Sequence, residues 1–249
     1  MKYKIYNETN NTYYEYNIEE IINYIKLNSN CVFYKFINFD KVKINNNIVL
    51  NTTFICHRVN KTKELENIDK QFGVELDLRD DHKTHNLILS HDPFSEGEYF
   101  EDYLKNYNNN TMILNIKSER IEIECLKLLQ KYNINNYFFL DSSFPMIYLL
   151  NKEYNNNNIA CRYSEYEPIE NFLSCKNMVK YIWVDCFTFF PLNNTIYNII
   201  KKNEKLICIV SPELQKQDEK IEHYRNYMIE NNIIPDMICC KKYNIIRWI

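Results

Sequence analysis

Two carboxylates, Glu75 and Asp77, lie two residues apart in the apolar segment 73–78. Side chains at this spacing on a β-strand face the same side, so both carboxylates would point into the same apolar surroundings. Without partners they would repel each other and lose solvation, which costs several kcal/mol per ion. A hard divalent cation bound to both would remove these costs. The alternative is a strand whose polar face is paired with Arg or Lys.

Two histidines stand at the ends of neighbouring apolar runs. His57 ends the run 53–57, and His91 follows the run 86–90. The near-neutral pKa of histidine allows two such side chains to divide acid and base roles at pH 7. A single histidine at a strand end is more often structural, so the pair carries more weight than either residue alone.

Short apolar runs recur along the chain and would position these side chains. Each run is rich in β-branched or aromatic residues, which is typical of parallel strands buried on both faces. Helical patterns alternate with several of them, which predicts βα units. We therefore predict an α/β fold, specifically a (β/α)8 TIM barrel. The runs are 53–57, 73–78, 112–116, 137–140, 159–163, 181–185, 206–210 and 237–240, and the helical patterns are 118–132, 194–203 and 220–232.

The run 86–90 is too close to the second strand for a helix to fit between them, so it is predicted to return as an antiparallel hairpin. Residues 1–50 are predicted to form a short α+β extension that packs on the barrel of residues 51–249. This extension has one helix, around 17–28, and strand-like runs at 31–37 and 47–51.

Charged side chains follow nearly every predicted strand, at the barrel edge where active sites form. We predict that Arg162 and Lys241 meet an anionic group of a substrate and that Asp185 and Glu213 meet its hydroxyl groups. A ring of ion pairs between strands is an equally good interpretation of the same residues.

Several ordered motifs resemble the signatures of glycerophosphodiester phosphodiesterases, which are related to phosphatidylinositol phospholipase C and to the spider-venom sphingomyelinase D group. The family pattern runs His-Arg-Gly, Glu-Asn-Thr, Glu-x-Asp, His-Asp and Glu-x-Lys. The corresponding residues here are His57-Arg58, Glu66-Asn67, Glu75-x-Asp77, His91-Asp92 and Asn115-x-Lys117.

The resemblance implies metal-assisted cleavage of a phosphodiester, with a glycerophosphodiester-like or phosphosugar substrate. It implies acid and base roles for the two histidines and a Mg²⁺ or Ca²⁺ ion that polarises a phosphoryl oxygen. Two basic side chains would neutralise charge that develops on the phosphate. The implied assignment is catalytic for His57 and His91, metal-binding for Glu75, Asp77 and Asn115, and phosphate-binding for Arg58 and Lys117.

Three positions depart from the family pattern. Val59 replaces a glycine, Ile68 replaces a threonine, and Asn115 stands where a third carboxylate ligand is usual. An amide oxygen can bind a hard cation but brings no charge, so the metal should be held weakly. The alternative function is therefore a catalytically impaired barrel that binds a phosphorylated ligand or partner.

Composition excludes several other classes of function. The net charge of −3 gives no basic excess, which argues against a nucleic-acid partner. No segment has the roughly 20 apolar residues of a membrane span, and no secretory signal is evident. The nine cysteines lie mostly inside apolar runs and are interpreted as reduced thiols, so we predict a cytoplasmic protein. A phospholipase acting on membrane lipids is disfavoured because no exposed loop rich in aromatic and basic residues is evident.

Overall fold

Two β-sheets organise the chain, whose computed structural model describes residues 1–37 and 39–249. The strands are β1 (Tyr3–Asn7), β2 (Thr12–Tyr16), β3 (Phe33–Ile37), β4 (Asp40–Lys43), β5 (Thr53–His57), β6 (Gly73–Asp80), β7 (Leu87–Leu89), β8 (Glu98–Tyr99), β9 (Met112–Ile116), β10 (Tyr137–Leu140), β11 (Ala160–Tyr163), β12 (Tyr181–Val184), β13 (Leu206–Val210) and β14 (Met237–Cys240). The helices are α1 (Ile18–Leu27), α2 (Asn46–Asn51), α3 (Thr62–Leu65), α4 (Phe100–Leu104), α5 (Glu122–Lys131), α6 (Phe144–Tyr154), α7 (Ile169–Cys175), α8 (Asn194–Lys202), α9 (Ile221–Glu230) and α10 (Ile245–Trp248).

The larger sheet contains the eight predicted parallel strands in the order β10-β9-β6-β5-β14-β13-β12-β11. Each strand agrees with its predicted run to within two residues at either end. Helices α5, α8 and α9 lie within the three predicted helical segments. The α/β class with βα alternation is therefore confirmed.

The two ends of this series, β10 and β11, meet only at one isolated parallel bridge, between Phe139 and Ile159. There the Phe139 N–H donates to the Asn158 carbonyl at 2.9 Å. Both end strands have only four residues, which leaves little backbone for a ladder between them. Among the described residues, strand pairing thus forms a mixed sheet, and the predicted closure into a complete barrel is not established.

One face of the larger sheet carries an apolar cluster built from alternate residues of seven parallel strands. Strand β6 presents two acids to this same face: Glu75 pairs with Ile113 in register, and Asp77 pairs with Asn115. The side-chain period of two therefore keeps both acids on the apolar side. The cluster consists of Ile55, Ile113, Phe138, Leu140, Ala160, Tyr181, Trp183, Cys208, Val210, Met237 and Cys239.

The start of β6 needs a residue without a side chain. A Cβ atom on Gly73 would lie 2.3 Å from Cδ1 of Ile55 and 2.5 Å from the Thr111 carbonyl oxygen.

Further along, β7 pairs antiparallel with β6, with Leu89 opposite Leu78. The predicted hairpin is therefore confirmed.

The N-terminal segment forms an antiparallel sheet in the order β2-β1-β3-β4, flanked by α1 and α2. The predicted helix is α1, and the run 31–37 contains β3. The run 47–51 was predicted as strand-like, and this is wrong because it lies in α2. The Asn45 side chain accepts a hydrogen bond from the Ile48 N–H at 3.1 Å, and this N-cap starts a helix despite the β-branched residues.

Buried polar contacts join the N-terminal segment to the last helix. The Lys35 ammonium group, which is 1% exposed, donates to the carbonyl oxygens of Ile246 and Ile249 at 2.7 Å each. Glu19 and Lys242 form an ion pair at 2.7 Å.

The division into an extension of 1–50 and a barrel of 51–249 stays a prediction. Within the described part of the chain, no helix is both long and apolar enough to cross a membrane.

Candidate functional site

The candidate site lies where β5, β6 and β9 end side by side. His57 is opposite Glu75 in the β5–β6 register, and Asp77 is opposite Asn115 in the β6–β9 register. Residues paired in register project to the same face, so parallel pairing alone brings these four side chains together.

Asp77 is fully buried and is contacted by four polar side chains. Arg58 Nε forms an ion pair with it at 2.7 Å, and Lys117 Nζ lies 3.7 Å away. The side-chain amides of Asn60 and Asn115 donate to Asp77 at 2.9 and 3.3 Å. The alternative raised from the sequence, a carboxylate paired with basic side chains, therefore describes Asp77 well.

Glu75 is buried but much less well partnered. Its Oε1 accepts a hydrogen bond from the Asn115 amide at 2.9 Å, whereas its Oε2 accepts none. Burial, and next the charge of Asp77, raise the pKa of Glu75 to about 8. In the absence of a cation, this carboxyl group is therefore protonated at pH 7.

His57 is held in the neutral form. Burial, followed by the positive charges of Lys241, Arg58 and Lys117, lowers the pKa of His57 to about 3. Lys241 Nζ lies 3.4 Å from His57 Nδ1. The approach of 3.5 Å between His57 Nε2 and Glu75 Oε2 is accordingly a contact between two neutral groups at pH 7.

His91 lies at the rim, with its side chain 43% exposed. Its Nδ1 is 2.8 Å from Asp92 Oδ1, and its carbonyl oxygen accepts from Arg79 at 3.1 Å. The hydrogen bond from His91 lowers the pKa of Asp92. A positive charge on His91 is the smallest of the four neighbouring charges that lower the pKa of His57.

Arg162 forms a second polar cluster with two carboxylates. Its guanidinium group binds Asp141 through two hydrogen bonds, at 2.7 and 3.0 Å, and Asp185 through one at 2.6 Å. Lys117 Nζ lies 3.6 Å from Asp141 and so connects this cluster to Asp77. Because Arg162 is already paired twice, its predicted role as a free anion receptor is less favoured than the ring of ion pairs.

Other predicted residues also support neighbouring loops. The Glu213 carboxylate accepts from the Lys241 N–H at 2.9 Å and from the Ser211 hydroxyl. Asp185 additionally accepts from Gln215 at 2.8 Å. The predicted residues in continuous contact are His57, Arg58, Glu75, Asp77, Asn115, Lys117, Arg162, Asp185, Lys241 and, through the Lys241 backbone, Glu213.

Two residues of the site were not assigned a role from the sequence. Asn60 accepts from the Asp77 N–H at 2.8 Å and donates back to its carboxylate. Asp141 joins Lys117 to Arg162 from a left-handed backbone with φ 64°. Each follows a strand end closely, and this position is the only sequence signal that points to them.

The donor atoms offer a partial fit to a hard cation. Glu75 Oε2 and Asn115 Oδ1 are buried and accept no hydrogen bond. Orphaned oxygens of this kind suit Mg²⁺ or Ca²⁺. Among the described residues, however, no group of three or more His, Cys, Asp or Glu side chains could hold a metal ion, so the set depends on the Asn115 amide.

A cavity of about 460 Å³ opens beside the site, at the seam between β10 and β11. Asp141 and Arg162 line one end of it, and Phe144, Ile147 and Cys175 line the rest. A cavity of about 620 Å³ lies far from the strand ends, around residues 42–47. The smaller cavity is the one that borders the polar cluster.

Structural comparison identifies two solved proteins with a fold similar to that of this chain. No family sequence model matches the chain, and no curated protein matches it in sequence. A solved structure from Galdieria sulphuraria, assigned as a glycerophosphodiester phosphodiesterase, is 14% identical, with a TM-score of 0.55, and the match covers 77% of this chain and 94% of that one. A glycerophosphoryl diester phosphodiesterase from Parabacteroides distasonis is 12% identical, with a TM-score of 0.55 and coverage of 77% and 84%. The resemblance drawn from the motifs is thus confirmed at the level of the fold.

Proposed function

We propose that the chain cleaves a phosphodiester with the help of a divalent cation. The observation that carries this proposal is the buried, under-partnered oxygen set of Glu75 and Asn115, which lies beside His57 and three basic side chains. The names of the two similar structures support a glycerophosphodiester or related substrate. They also support the inference that the eight parallel strands belong to a barrel of the (β/α)8 type.

Glu75, Asp77 and Asn115 would hold Mg²⁺ or Ca²⁺. Such a cation supplies polarisation of a phosphoryl oxygen and offsets the negative charge of the phosphate. Cation binding also gives the orphaned Glu75 Oε2 a partner, which removes the cost of leaving it buried and unpaired. Asn115 contributes only a neutral oxygen, so we expect weak binding.

His57 and His91 would divide the proton transfers. The lowered pKa keeps the His57 imidazole neutral at pH 7. A bound phosphodiester anion would offset the charges of Lys241, Arg58 and Lys117, which would raise the basicity of His57 and let it accept a proton from the attacking hydroxyl group. His91 is paired with Asp92, whose carboxylate balances the charge of a protonated ring. We therefore assign proton delivery to the leaving oxygen to His91.

Arg58, Lys117 and Lys241 would stabilise the negative charge that develops on the phosphate. Arg58 and Lys117 are held by Asp77, which fixes their positions before substrate binds. Asp141 and Arg162 line the cavity at the seam, so Asp141 would contact hydroxyl groups of a substrate arm that enters there, while the buried Asp185 would hold Arg162 in position.

A second candidate function is binding of a phosphorylated ligand without turnover. It is favoured by the contact of 2.7 Å between Arg58 and Asp77, since a basic side chain already occupies the position opposite this carboxylate. In that case the three basic residues would bind phosphate, and the two histidines would have no catalytic role.

Turnover of glycerophosphodiesters and of bis(4-nitrophenyl) phosphate with Mg²⁺, Ca²⁺ or Mn²⁺ tests the proposal. We expect His57→Ala and His91→Ala to lower kcat by about a hundredfold or more, whereas His82→Ala, on the exposed hairpin, should keep wild-type kcat. Absence of turnover together with calorimetric binding of glycerol phosphate would favour the second function. Absence of both would reject the two proposals.

A further inference from the structure

Exposed phenylalanines gather at one edge of the larger sheet. Among the described residues five phenylalanines are exposed, and four of them follow strands at the edge where the candidate site lies. Two of these, Phe187 (39% exposed) and Phe189 (58% exposed), lie in the loop after β12. The other two are Phe94 and Phe144. Singly exposed phenylalanines need no explanation, but two in one loop beside Tyr166 form an apolar surface that calls for a partner.

The N–H groups of the loop after β12 are satisfied from inside the protein. Those of Phe187, Thr188 and Phe189 all donate to the carboxylate of Glu165, at 3.3 Å for Phe187 and 3.4 Å for Phe189. The Thr188 hydroxyl also donates to Glu165, at 2.8 Å. The Glu165 side chain of the neighbouring loop therefore accepts hydrogen bonds from all three of these backbone N–H groups.

The carbonyl groups of the loop are satisfied in the same way. The Gln217 side-chain amide donates to the carbonyl oxygens of Cys186 and Phe187 at 3.1 and 2.7 Å. Lys220 Nζ donates to the Thr188 carbonyl at 2.7 Å. From Phe187 to Thr188, every backbone N–H and C=O group thus has a partner contributed by a side chain.

A loop in water needs no such arrangement, because water satisfies its backbone. In a water-poor environment an unsatisfied backbone group is strongly unfavourable, so the part of a loop that enters must find its partners within the protein. Every backbone N–H and C=O group from Cys186 to Thr188 meets this condition, as does the Phe189 N–H, while the Phe187 and Phe189 rings are exposed.

The charges around the loop indicate which kind of lipid surface fits. Segments 163–168 and 186–193 contain no Lys or Arg, and their charged residues are Glu165 and Glu167. Tyr166, 6.2 Å from Phe187 between ring centroids, extends the aromatic surface. The Lys220 ammonium group contacts the loop, but it is bonded to the Thr188 carbonyl and to Gln217 Oε1, and the two glutamates outweigh its charge. The loop therefore offers no net positive charge to anionic lipid, whereas aromatic rings suit the interface of a zwitterionic bilayer.

We propose that the loop at 186–189 inserts into a zwitterionic lipid surface and holds the chain there, with the β12 end of the larger sheet facing the lipid. The exposed aromatic loop that was not evident from the sequence is present, although it has no basic residues. This surface binding does not depend on the proposed catalysis and is measured without turnover.

Flotation of the whole chain with phosphatidylcholine vesicles tests this proposal. We expect the wild type to float with the vesicles at both low and high salt. The double variant Phe187→Ser/Phe189→Ser should lower the partition coefficient by about a hundredfold, because it removes two inserted rings. Phe39→Ser, at an exposed phenylalanine in the turn between β3 and β4, serves as the matched control and should leave partitioning unchanged.

A second variant examines the support of the loop rather than its rings. Glu165→Ala leaves both phenylalanines in place but removes the acceptor of three N–H groups, so it should also weaken partitioning. In Phe189→Trp, brominated phosphatidylcholine should quench the new indole, since Trp183 and Trp248 are buried. The proposal is overturned by equal flotation of the double variant, by binding to anionic vesicles alone, or by self-association that the double variant abolishes without any vesicle binding.

Discussion

A hydrogen bond of 2.9 Å joins the Asn115 amide on β9 to the Glu75 carboxyl group on β6. The same amide lies 3.3 Å from Asp77, so a single neutral side chain serves both acids. This arrangement relieves part of the repulsion between them without a cation. Together with the ion pairs of Asp77, it lets two acids lie side by side in a buried position.

Changing Asn115 should therefore alter cation affinity. We expect Asn115→Glu to tighten binding of Mg²⁺ and Ca²⁺ by about tenfold or more, because a third carboxylate attracts a dication more strongly than an amide does. Asp77→Asn should abolish binding. Calorimetric titration of the three proteins measures both effects, and equal affinities would show that any bound cation sits elsewhere.

Stability without cations should fall as pH rises past neutrality. The folded-state pKa of Glu75, about 8, lies above its ordinary value of 4.5, so the folded protein holds a proton that the unfolded chain loses. The associated stability is present at low pH and lost as pH rises towards 8. His57 has the opposite effect, but only between pH 3 and 6.5. The hydrogen bond with Cys161 lowers the pKa of Cys175 to about 7, which acts in the opposite direction above pH 7. In EDTA between pH 6.5 and 8.5, the Tm should therefore decline relative to that of a variant without the Glu75 carboxyl group.

Glu75→Gln is the matched variant for this measurement. It keeps the shape of the side chain and removes the titrating group, so its Tm should lack the contribution that falls with pH over the same range. Parallel curves for the two proteins would assign the decline to another group.

Removing Arg162 should destabilise the fold. Arg162→Met leaves Asp141 and Asp185 without their shared partner, and we expect the free energy of unfolding to fall by about 3 kcal/mol. Lys105→Met is the control, because it breaks an exposed ion pair of 2.6 Å with Asp102 and should leave the free energy of unfolding nearly unchanged. Urea unfolding measures both. A similar small loss in the two variants would mean that water already screens the Arg162 cluster.

Asp92 should support catalysis without binding substrate. In Asp92→Asn the ring of His91 loses its carboxylate partner, so we expect kcat to fall by about tenfold or more with KM little changed. Glu96→Gln, an exposed acid of the same loop, should have no effect. An increase in KM at constant kcat would instead show that Asp92 contacts the substrate.

The parallel strands were predictable because burial on both faces makes each one a continuous apolar run, as in β13 (Leu206–Val210). The N-terminal sheet was harder. Strands β1 and β2 are rich in tyrosine and half exposed, so their composition resembles that of a polar loop. The run 47–51 forms a helix although its β-branched residues prefer a strand, because the N-cap residue Asn45 lies outside the run.

Much of the site followed from strand periodicity and parallel register, which bring His57, Glu75 and Asn115 to one face. The ion pairs that occupy Arg162 did not follow, because they depend on side chains that reach across strands. Asp141 depends on a left-handed backbone that no spacing encodes. The exposure of the loop at 186–189 was not predictable either, because its apolar residues resemble those of a buried segment.

The seam between β10 and β11 is a point at which the chain could be divided into two fragments. Strand β5 is paired with β14, with Thr53 opposite Met237, so the first and last of the eight parallel strands hold each other along a full ladder. The weak joint lies mid-chain, where β10 and β11 share one bridge across the loop at 155–158. A cut in that loop would sever little strand pairing. Two separately produced fragments, 1–156 and 157–249, should therefore reassociate along β5 and β14, which makes the chain suited to fragment complementation.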